Sequence, residues 1–254
     1  MPAEKIAALD GGTLDIDKGF MVMDPLFGQK TGKMIPIRIW QMFIEHREGK
    51  MIIDTSFDPK SHGIRPFGPR QTPEQRIDKQ LAKLGLKTRD IDLVANTHLH
   101  VDHTGYNRMF KNASFLVQQA ELAHCWHNVG TWPFCYDRSL YDIPDLRYEP
   151  VYGDRSVFDG VTLLSTPGHT PGHQSVYVET DKGKRMLYAG DACYLEENIG
   201  PPLKLAGIYY SAPDYLRSLE RLRTIIHEKK AFFFPSHDDS FFKKKVRKLP
   251  EYYD

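Results

Sequence analysis

The sequence predicts a layered α/β fold in which helices cover the outer faces of two packed β-sheets. Three observations predict it. Strand-like and helix-like patterns of apolar residues alternate along the 254 residues. The early strands are predicted to form antiparallel pairs, and the sequence contains no internal repeat of the kind that indicates a solenoid. Because Pro and Gly are scattered and not gathered into a linker, we expect a single domain over residues 1–254.

The chain opens with strand signals. Residues 5–9 and 13–16 flank Asp10-Gly11-Gly12, a sequence that predicts a hairpin turn. Residues 35–44 are rich in β-branched and aromatic side chains, which predicts a strand. A short turn follows, and residues 51–53 are predicted to form the next strand, antiparallel to the first. These segments predict two antiparallel pairs.

A long loop and a capped helix come next. Residues 57–71 are punctuated by Pro and Gly, which predicts a loop. Thr72 and Gln75 have the spacing of a capping box, with Pro73 at the first helical position. Gly85 is a natural residue at which to end that helix.

The remaining chain mixes strands and helices. A second long loop is expected over residues 128–150, and loops of this length are uncommon unless they are functional. We expect strands over residues 92–96, 114–118, 161–165, 174–179, 186–189 and 231–234, and helices over residues 104–110, 119–127 and 213–228.

Composition excludes several classes of function. The net charge of +1 does not favour nucleic acid or an anionic membrane as a partner, and the basic run at residues 243–245 is interpreted as solvated surface. No apolar run approaches the roughly 18 residues that span a bilayer, and the first 16 residues lack the apolar core of a secretory signal. Three cysteines do not make a disulfide framework. We therefore expect a cytoplasmic protein.

A cluster of metal-ligand side chains follows the strand predicted at residues 92–96. His98, His100, Asp102 and His103 lie within six residues, and imidazole and carboxylate are the ligands that zinc-class ions prefer. His98 and His100 are two apart, so on an extended segment they point the same way. Without a metal, several titrating groups would crowd one point, which is costly if they are buried.

Three further candidate ligands each follow a predicted strand. His169 lies between two Pro-Gly turns, and Asp191 and His237 end strands. Active sites of layered α/β proteins collect at strand ends. His173 is an alternative to His169, but it opens the next strand and is better interpreted as a packing residue or a residue behind the ligands.

The order of these candidate ligands along the chain resembles the pattern of the metallo-β-lactamase superfamily. The pattern consists of His98-x-His100-x-Asp102-His103, then His169 in a T-P-G-H-T-P-G-H segment, then Asp191 and then His237. The resemblance covers nearly the whole chain. It implies an αββα sandwich with metals at one edge of the two sheets. It further implies that His98, His100 and His169 hold a first metal, that Asp102, His103 and His237 hold a second, and that Asp191 bridges them.

Within the superfamily, the segment Asp191-Ala192-Cys193-Tyr194 is similar to that of the N-acyl-homoserine lactonase group. The bridging position is Asp191 instead of the cysteine of common β-lactamases, and Cys193 is interpreted as a packing residue. This similarity implies hydrolysis of the homoserine lactone ring, and hence quorum quenching, by a hydroxide that bridges two metals. It also implies that Tyr194 stabilises the oxyanion and that Asp102 or a water protonates the leaving alkoxide.

The expected cofactors are two divalent metal ions, most simply zinc, although His/Asp sites also accept Fe, Mn or Co. A small-molecule lactone is the expected partner. Apolar side chains in or beside predicted loops are candidates for the acyl-chain pocket, the alternative being that each anchors its loop to the core. These candidates are Met21, Met23, Phe57, Phe67 and Val101, while Trp132 and Phe134 could also pack against a second subunit in a homodimer.

Other functions remain open at this point. The same fold could hydrolyse a different small lactone, a thioester or a β-lactam-like amide. A di-iron oxidative function is disfavoured because no second redox domain is evident. A metal-stabilised binding module is disfavoured because structural zinc sites are usually rich in cysteine, whereas these ligands are histidine and aspartate.

Overall fold

The computed structural model describes residues 2–23, 30–127 and 135–254. Strands within these ranges form two sheets. The first comprises β1 (Lys5–Asp17), β2 (Met34–His46), β3 (Gly49–Ile53), β4 (Leu93–Ala95), β5 (Ser114–Gln118) and β6 (Arg147–Val151), in that spatial order. The second comprises β7 (Arg155–Phe158), β8 (Val161–Ser165), β9 (Gln174–Glu179), β10 (Arg185–Tyr188) and β11 (Phe232–Phe234), in the order β11-β10-β9-β8-β7.

The helices lie between and after these strands. They are α1 (Lys18–Met21), α2 (Ile77–Ala82), α3 (Val101–Thr104), α4 (Gln119–Trp126), α5 (Arg138–Tyr141), α6 (Ala212–Lys229) and α7 (Asp239–Lys245). None of the helices in the described ranges has the length and apolar character needed to cross a membrane.

The inner faces of the two sheets pack against each other. Trp40 of β2 lies edge-on to Tyr188 of β10, with ring centroids 4.9 Å apart, and also contacts Phe234 of β11. Around them the inner faces bury side chains such as Ile53 and Leu163. This contact removes the apolar faces of both sheets from water, which is the main favourable term in folding.

Helices cover the two outer faces. Ile77 and Leu81 of α2 belong to a buried cluster with Phe43 of the first sheet. On the other side, Leu219 of α6 belongs to a cluster with Leu187 of the second sheet. The layers are therefore helix, sheet, sheet, helix, and the predicted αββα sandwich is confirmed.

The predicted hairpin at Asp10-Gly11-Gly12 is wrong. β1 continues through these residues and pairs with β2 along its whole length, with a bulge between Asp10 and Gly12. The glycines are needed for close approach and not for a turn. A Cβ on Gly11 would lie 2.4 Å from Ser56 Oγ, and one on Gly12, whose φ is +105°, would lie 2.4 Å from Arg70 O.

Most other predicted elements are present with shifted ends. The helix predicted over residues 104–110 is replaced by α3 and a 3₁₀ turn at Asn107–Met109. The elements α1, α5, α7, β6 and β7 were not predicted, and α5 and most of β6 lie in the region predicted as a loop over residues 128–150. β6 contains Pro150 and forms an edge of its sheet, which is where a strand tolerates proline.

The basic run at residues 243–245 ends α7. Lys243 pairs with Asp239 and Lys245 with Glu196, and the side chains of both lysines are about half exposed. This agrees with its interpretation as solvated surface.

Candidate metal centre

Seven side chains from both sheets meet at one edge of the sandwich. Four of them follow β4 of the first sheet, as expected, and lead into α3: His98, His100, Asp102 and His103. The second sheet supplies the other three: His169 follows β8, Asp191 follows β10 and His237 follows β11. Because the segments converge from separate strands, the cluster exists only when the two sheets are packed together.

Three histidines form a first cluster. His169 Nε2 lies 3.2 Å from His98 Nε2 and 3.1 Å from His100 Nδ1. The three nitrogens converge on one point, and their spacing allows them to hold one metal ion. All three side chains are buried.

Asp102, His103 and His237 form a second cluster. Asp102 Oδ2 lies 3.6 Å from both His103 Nε2 and His237 Nε2. The carboxylate and the two imidazoles are close enough to share one ion.

The carboxylate of Asp191 lies between the clusters. Its Oδ2 is 3.6 Å from His98 Nε2 and 3.4 Å from His169 Nε2. Its Oδ1 is 3.4 Å from His103 Nε2 and 3.0 Å from His237 Nε2. Each oxygen therefore faces one cluster.

The electrostatics of the two clusters differ. Burial lowers the pKa of His98 and His100 well below the ordinary histidine value and also lowers that of His169, so these imidazoles are neutral. Burial also acts to lower the pKa of His103 and His237, but the facing carboxylates of Asp191 and Asp102, joined at His103 by that of Asp54, together outweigh it and raise the pKa of both.

Asp191 shows the reciprocal effect. Burial alone would raise its pKa, but the imidazoles of His237 and His103 hold it well below the ordinary carboxyl value. A buried carboxylate that stays ionised between two groups of nitrogens is the donor set expected around divalent cations.

Two buried atoms support the fit of a metal. His103 Nε2 and Asp191 Oδ1 are shielded from solvent, and neither makes a hydrogen bond of acceptable geometry. Native proteins rarely leave buried polar atoms without partners. A cation between the two atoms would satisfy both, so the residues present fit a divalent metal.

The outward-facing ring nitrogens of some candidate ligands are held in place. His103 Nδ1 lies 2.8 Å from Asp54 Oδ2, and Thr97 donates to both oxygens of Asp54 through its N–H and its hydroxyl. Such outer carboxylates fix the ring orientation of metal-binding histidines. Asp54 was missed by sequence reasoning; its only signal was a carboxylate at a strand end.

His237 is fixed by backbone. Its Nδ1 lies 3.0 Å from Arg38 O, and its carbonyl accepts from Arg38 N. The Arg38 guanidinium donates in turn to Asp239 and Asp10. The position of this histidine is therefore tied to β2 of the first sheet.

His173 lies behind the first cluster. Its ring centroid is 5.4 Å from that of His98, and its Nδ1 lies 2.9 Å from Thr166 Oγ1. Burial lowers its pKa to about 3. It belongs to none of the ligand groupings among the described residues, in agreement with its interpretation as a packing residue.

A pocket opens beside the candidate ligands. Tyr194 lines it together with Val101 and five of the candidate ligands, His100, Asp102, His169, Asp191 and His237. The Tyr194 hydroxyl lies 3.1 Å from His169 Nδ1, and its ring lies 5.4 Å from the His237 ring. Burial raises the pKa of Tyr194 well above the ordinary value, so the phenol keeps its proton. Cys193 is buried and does not line this pocket.

The predicted pocket residues divide into two sets. Met21, Phe67 and Val101 line the pocket. Phe57 is fully buried in the core cluster beneath, so it anchors its loop, and Met23 is partly exposed and is not among the lining residues. Trp132 and Phe134 lie outside the described residues. Sequence reasoning missed several lining residues, which come from β1, β2 and separate loops: Leu14, Ile16, Ile37, Ile64, Cys135 and Ile208.

Comparison with known proteins gives consistent matches. Residues 35–237 match the model of the metallo-beta-lactamase superfamily. The N-acyl homoserine lactonase AiiA of Bacillus thuringiensis subsp. kurstaki is 32% identical over 231 residues, which cover 87% of this chain and 89% of that protein. The N-acyl homoserine lactonase AttM of Rhizobium radiobacter is 32% identical over 248 residues, covering 89% and 90%.

Solved structures agree. An N-acyl homoserine lactone hydrolase with the product N-hexanoyl-L-homoserine bound at its catalytic metal center is 30% identical, with a TM-score of 0.86 and 100% of both chains covered. The dizinc quorum-quenching lactonase AidC, at 17% identity and a TM-score of 0.69 over 99% and 96% of the chains, shares the fold. The fold, the order of the candidate ligands and these similarities lead to one conclusion: the chain belongs to the metallo-beta-lactamase superfamily.

Proposed function

We propose that this chain is a metal-dependent lactonase that hydrolyses the ester bond of the homoserine lactone ring of N-acyl homoserine lactones, and so quenches quorum-sensing signals. One observation carries the proposal: a single carboxylate, Asp191, has one oxygen toward each of two ligand clusters at the base of an apolar pocket. The relatives named N-acyl homoserine lactonase support the choice of substrate.

The proposed cofactors are two divalent metal ions, with zinc as the first choice for the donor set. We propose that His98, His100 and His169 hold one, that Asp102, His103 and His237 hold the other, and that Asp191 contacts both. When bound, such ions supply Lewis acidity and bring the pKa of a coordinated water close to neutrality.

Tyr194 is the proposed oxyanion donor. Because His169 Nε2 faces the first cluster, its Nδ1 carries the proton and donates outward, to Tyr194 Oη at 3.1 Å or Ile208 O at 3.3 Å. The phenol proton of Tyr194 is then left to donate into the pocket. A donor aimed at the lactone carbonyl oxygen stabilises the charge that develops there during hydrolysis.

Asp102 is the proposed source of the last proton, directly or through a water. The attacking water gives up a proton, its oxygen bonds to the carbonyl carbon, and the bond from that carbon to the ring oxygen breaks. The proton given up by the water passes through Asp102, or through a second water, to the alkoxide left on the ring oxygen. Asp102 lines the pocket, and its side chain is 16% exposed, more than that of Asp191. It is therefore the carboxyl group that can both face the second cluster and reach a substrate.

The acyl chain is proposed to lie along the apolar wall of the pocket. Met21, Ile64 and Phe67 belong to this wall, which contains far more apolar than polar surface. Apolar walls with a few convergent polar groups are typical of small-molecule sites, and the flexible thioether of Met21 can adapt to different chains.

The decisive experiment is proton release from N-hexanoyl homoserine lactone at constant pH, measured with and without removal of metal by a chelator. We expect ring opening that stops on chelation and returns when Zn²⁺ is added. Full activity in metal-free protein would refute the mechanism.

A substrate panel separates this proposal from other hydrolases of the fold. The panel contains an N-acyl homoserine lactone, a simple lactone without the acyl amide, a cephalosporin and a glutathione thioester. We expect the highest kcat/KM for the N-acyl homoserine lactone. Hydrolysis of the thioester but not of the lactones would refute the proposed substrate without contradicting the proposed metal centre.

The cytoplasm is the proposed compartment. Cys125, Cys135 and Cys193 are all buried and unpaired, as thiols remain in a reducing environment. A homodimer stays a prediction, which light scattering coupled to gel filtration would test.

A further inference from the structure

One buried carboxylate connects the two loops that carry the first ligand cluster. Glu121, in the first turn of α4, has no exposed surface. It is not in any of the ligand groupings of the described residues. A carboxylate that is buried without a cation beside it needs several donors to balance its lost hydration.

Glu121 receives its donors from three separate segments. Its Oε1 accepts from Leu99 N at 3.0 Å and from the Tyr136 hydroxyl at 2.8 Å, and its Oε2 accepts from Gly172 N at 3.3 Å. Leu99 lies between His98 and His100, and Gly172 lies three residues after His169. All three groups donate, so Glu121 serves as an acceptor only.

Two contacts make this arrangement tight. The Tyr136 ring packs edge-on against the His100 ring, with centroids 4.6 Å apart, so the tyrosine held by Glu121 also supports a ligand. A Cβ on Gly172 would lie 2.0 Å from Glu121 N, so the loop after His169 is seated directly on the start of α4. No contact of this kind joins Glu121 to Asp102, His103 or His237 in the described chain.

We infer that Glu121 is a positioning residue that sets the spacing of the first ligand cluster, and through it the metal affinity of that site but not of the second. The inference rests on the proposed metal centre and is independent of the proposed substrate. Outer groups that orient metal ligands typically change affinity by about 10- to 100-fold when they are altered.

Glu121→Gln tests this with little change of shape. If the amide oxygen keeps the Leu99 and Tyr136 contacts, the NH₂ group meets Gly172 N, donor against donor, and the His169 loop is pushed away. The measurement is Zn²⁺ affinity by chelator competition in two backgrounds. His237→Ala leaves the first cluster intact, and His100→Ala leaves the second.

We expect Glu121→Gln to weaken Zn²⁺ binding about 10- to 100-fold in the His237→Ala background and by less than about twofold in the His100→Ala background. In otherwise unaltered protein carrying Co²⁺, only the absorption bands of the first site should change. Equal weakening of both sites, or of neither, would overturn the inference.

Two further variants guard against a general loss of stability. Gln80→Met removes a buried polar side chain of α2 that accepts from Asp10 N; both Zn²⁺ affinities should be unchanged.

Tyr136→Phe removes only the hydroxyl contact with Glu121 and is the variant to use if Glu121→Gln does not fold. It should weaken the first site alone, and an unchanged first site in a folded Tyr136→Phe protein would count against the inference. Failure of lactone hydrolysis with this affinity pattern intact would refute the substrate and not the role of Glu121.

Discussion

Tyr194→Phe separates chemistry from structure at the pocket. The substitution removes one hydroxyl and keeps the ring, which packs 5.4 Å from the His237 ring. His169 Nδ1 loses its 3.1 Å contact with the hydroxyl but retains Ile208 O at 3.3 Å, so no ligand nitrogen is left without a partner. We therefore expect unchanged metal content and a loss in unfolding free energy of about 1 kcal/mol, the value of one ordinary hydrogen bond.

The effect on turnover should be much larger. Loss of one oxyanion donor costs about 2.7–4 kcal/mol in the transition state, which corresponds to a fall in kcat of about 100- to 1000-fold. Because the other groups of the site are retained in this variant, a fall in kcat of only about 10-fold would still support the role of Tyr194 as an oxyanion donor. The assay is proton release from N-hexanoyl homoserine lactone, with metal content measured on the same sample. A kcat within about threefold of the unaltered enzyme, at full metal content, would refute the proposed role of Tyr194.

Three further predictions concern the metal centre, backbone geometry and pH. Asp191→Asn removes the charge between the two clusters, so it should abolish turnover and lose bound metal; elemental analysis showing two retained equivalents would contradict this. Gly190→Ala places a Cβ 2.6 Å from His173 Nε2 at a φ of +55°, and should destabilise the fold by about 1–3 kcal/mol in urea unfolding. Glu197, held by lysines 30 and 204, has its pKa lowered to about 2 from 4.5, so its stabilising effect is complete above pH 4.5 and is lost as the pH falls toward 2.

For Glu197→Gln, unfolding of the metal-free protein should therefore depend less steeply on pH between about 4.5 and 2 than in the parent. Its side chain is 32% exposed, so solvent screening reduces the expected difference above pH 5 to about 1 kcal/mol. Identical pH profiles for the two proteins would show that the lysine contacts contribute nothing to stability.

The meeting of the seven candidate ligands at one site was predictable because their signals are local. His98 to His103 lie in one short segment, and His169, Asp191 and His237 each follow a strand with a recognisable apolar pattern. The layer architecture was predictable for the same reason, since the alternation of helices and strands appears in short windows. A short stretch of sequence is enough to predict whether an element is a helix or a strand and which residue follows it.

Features set by distant contacts were not predictable. Gly11 and Gly12 signal a turn locally, but they are explained by Ser56 and Arg70 from another part of the chain. Asp54 gains its role only from the approach of His103. Pocket residues such as Ile208 are ordinary loop side chains until the fold brings them to the site. In these cases tertiary contacts decide what propensity leaves open.

The candidate ligands follow strands of both sheets, four in the first and three in the second. Metal bound there would join the two sheets through contacts that only the folded chain can make, because unfolding separates the side chains that hold it. Because binding to the folded state adds stability by mass action, free metal at about 100 times its Kd would add about 2.7 kcal/mol. The melting temperature of this protein would then rise with the concentration of available metal. A shortage of metal would lower the amount of folded protein as well as the activity.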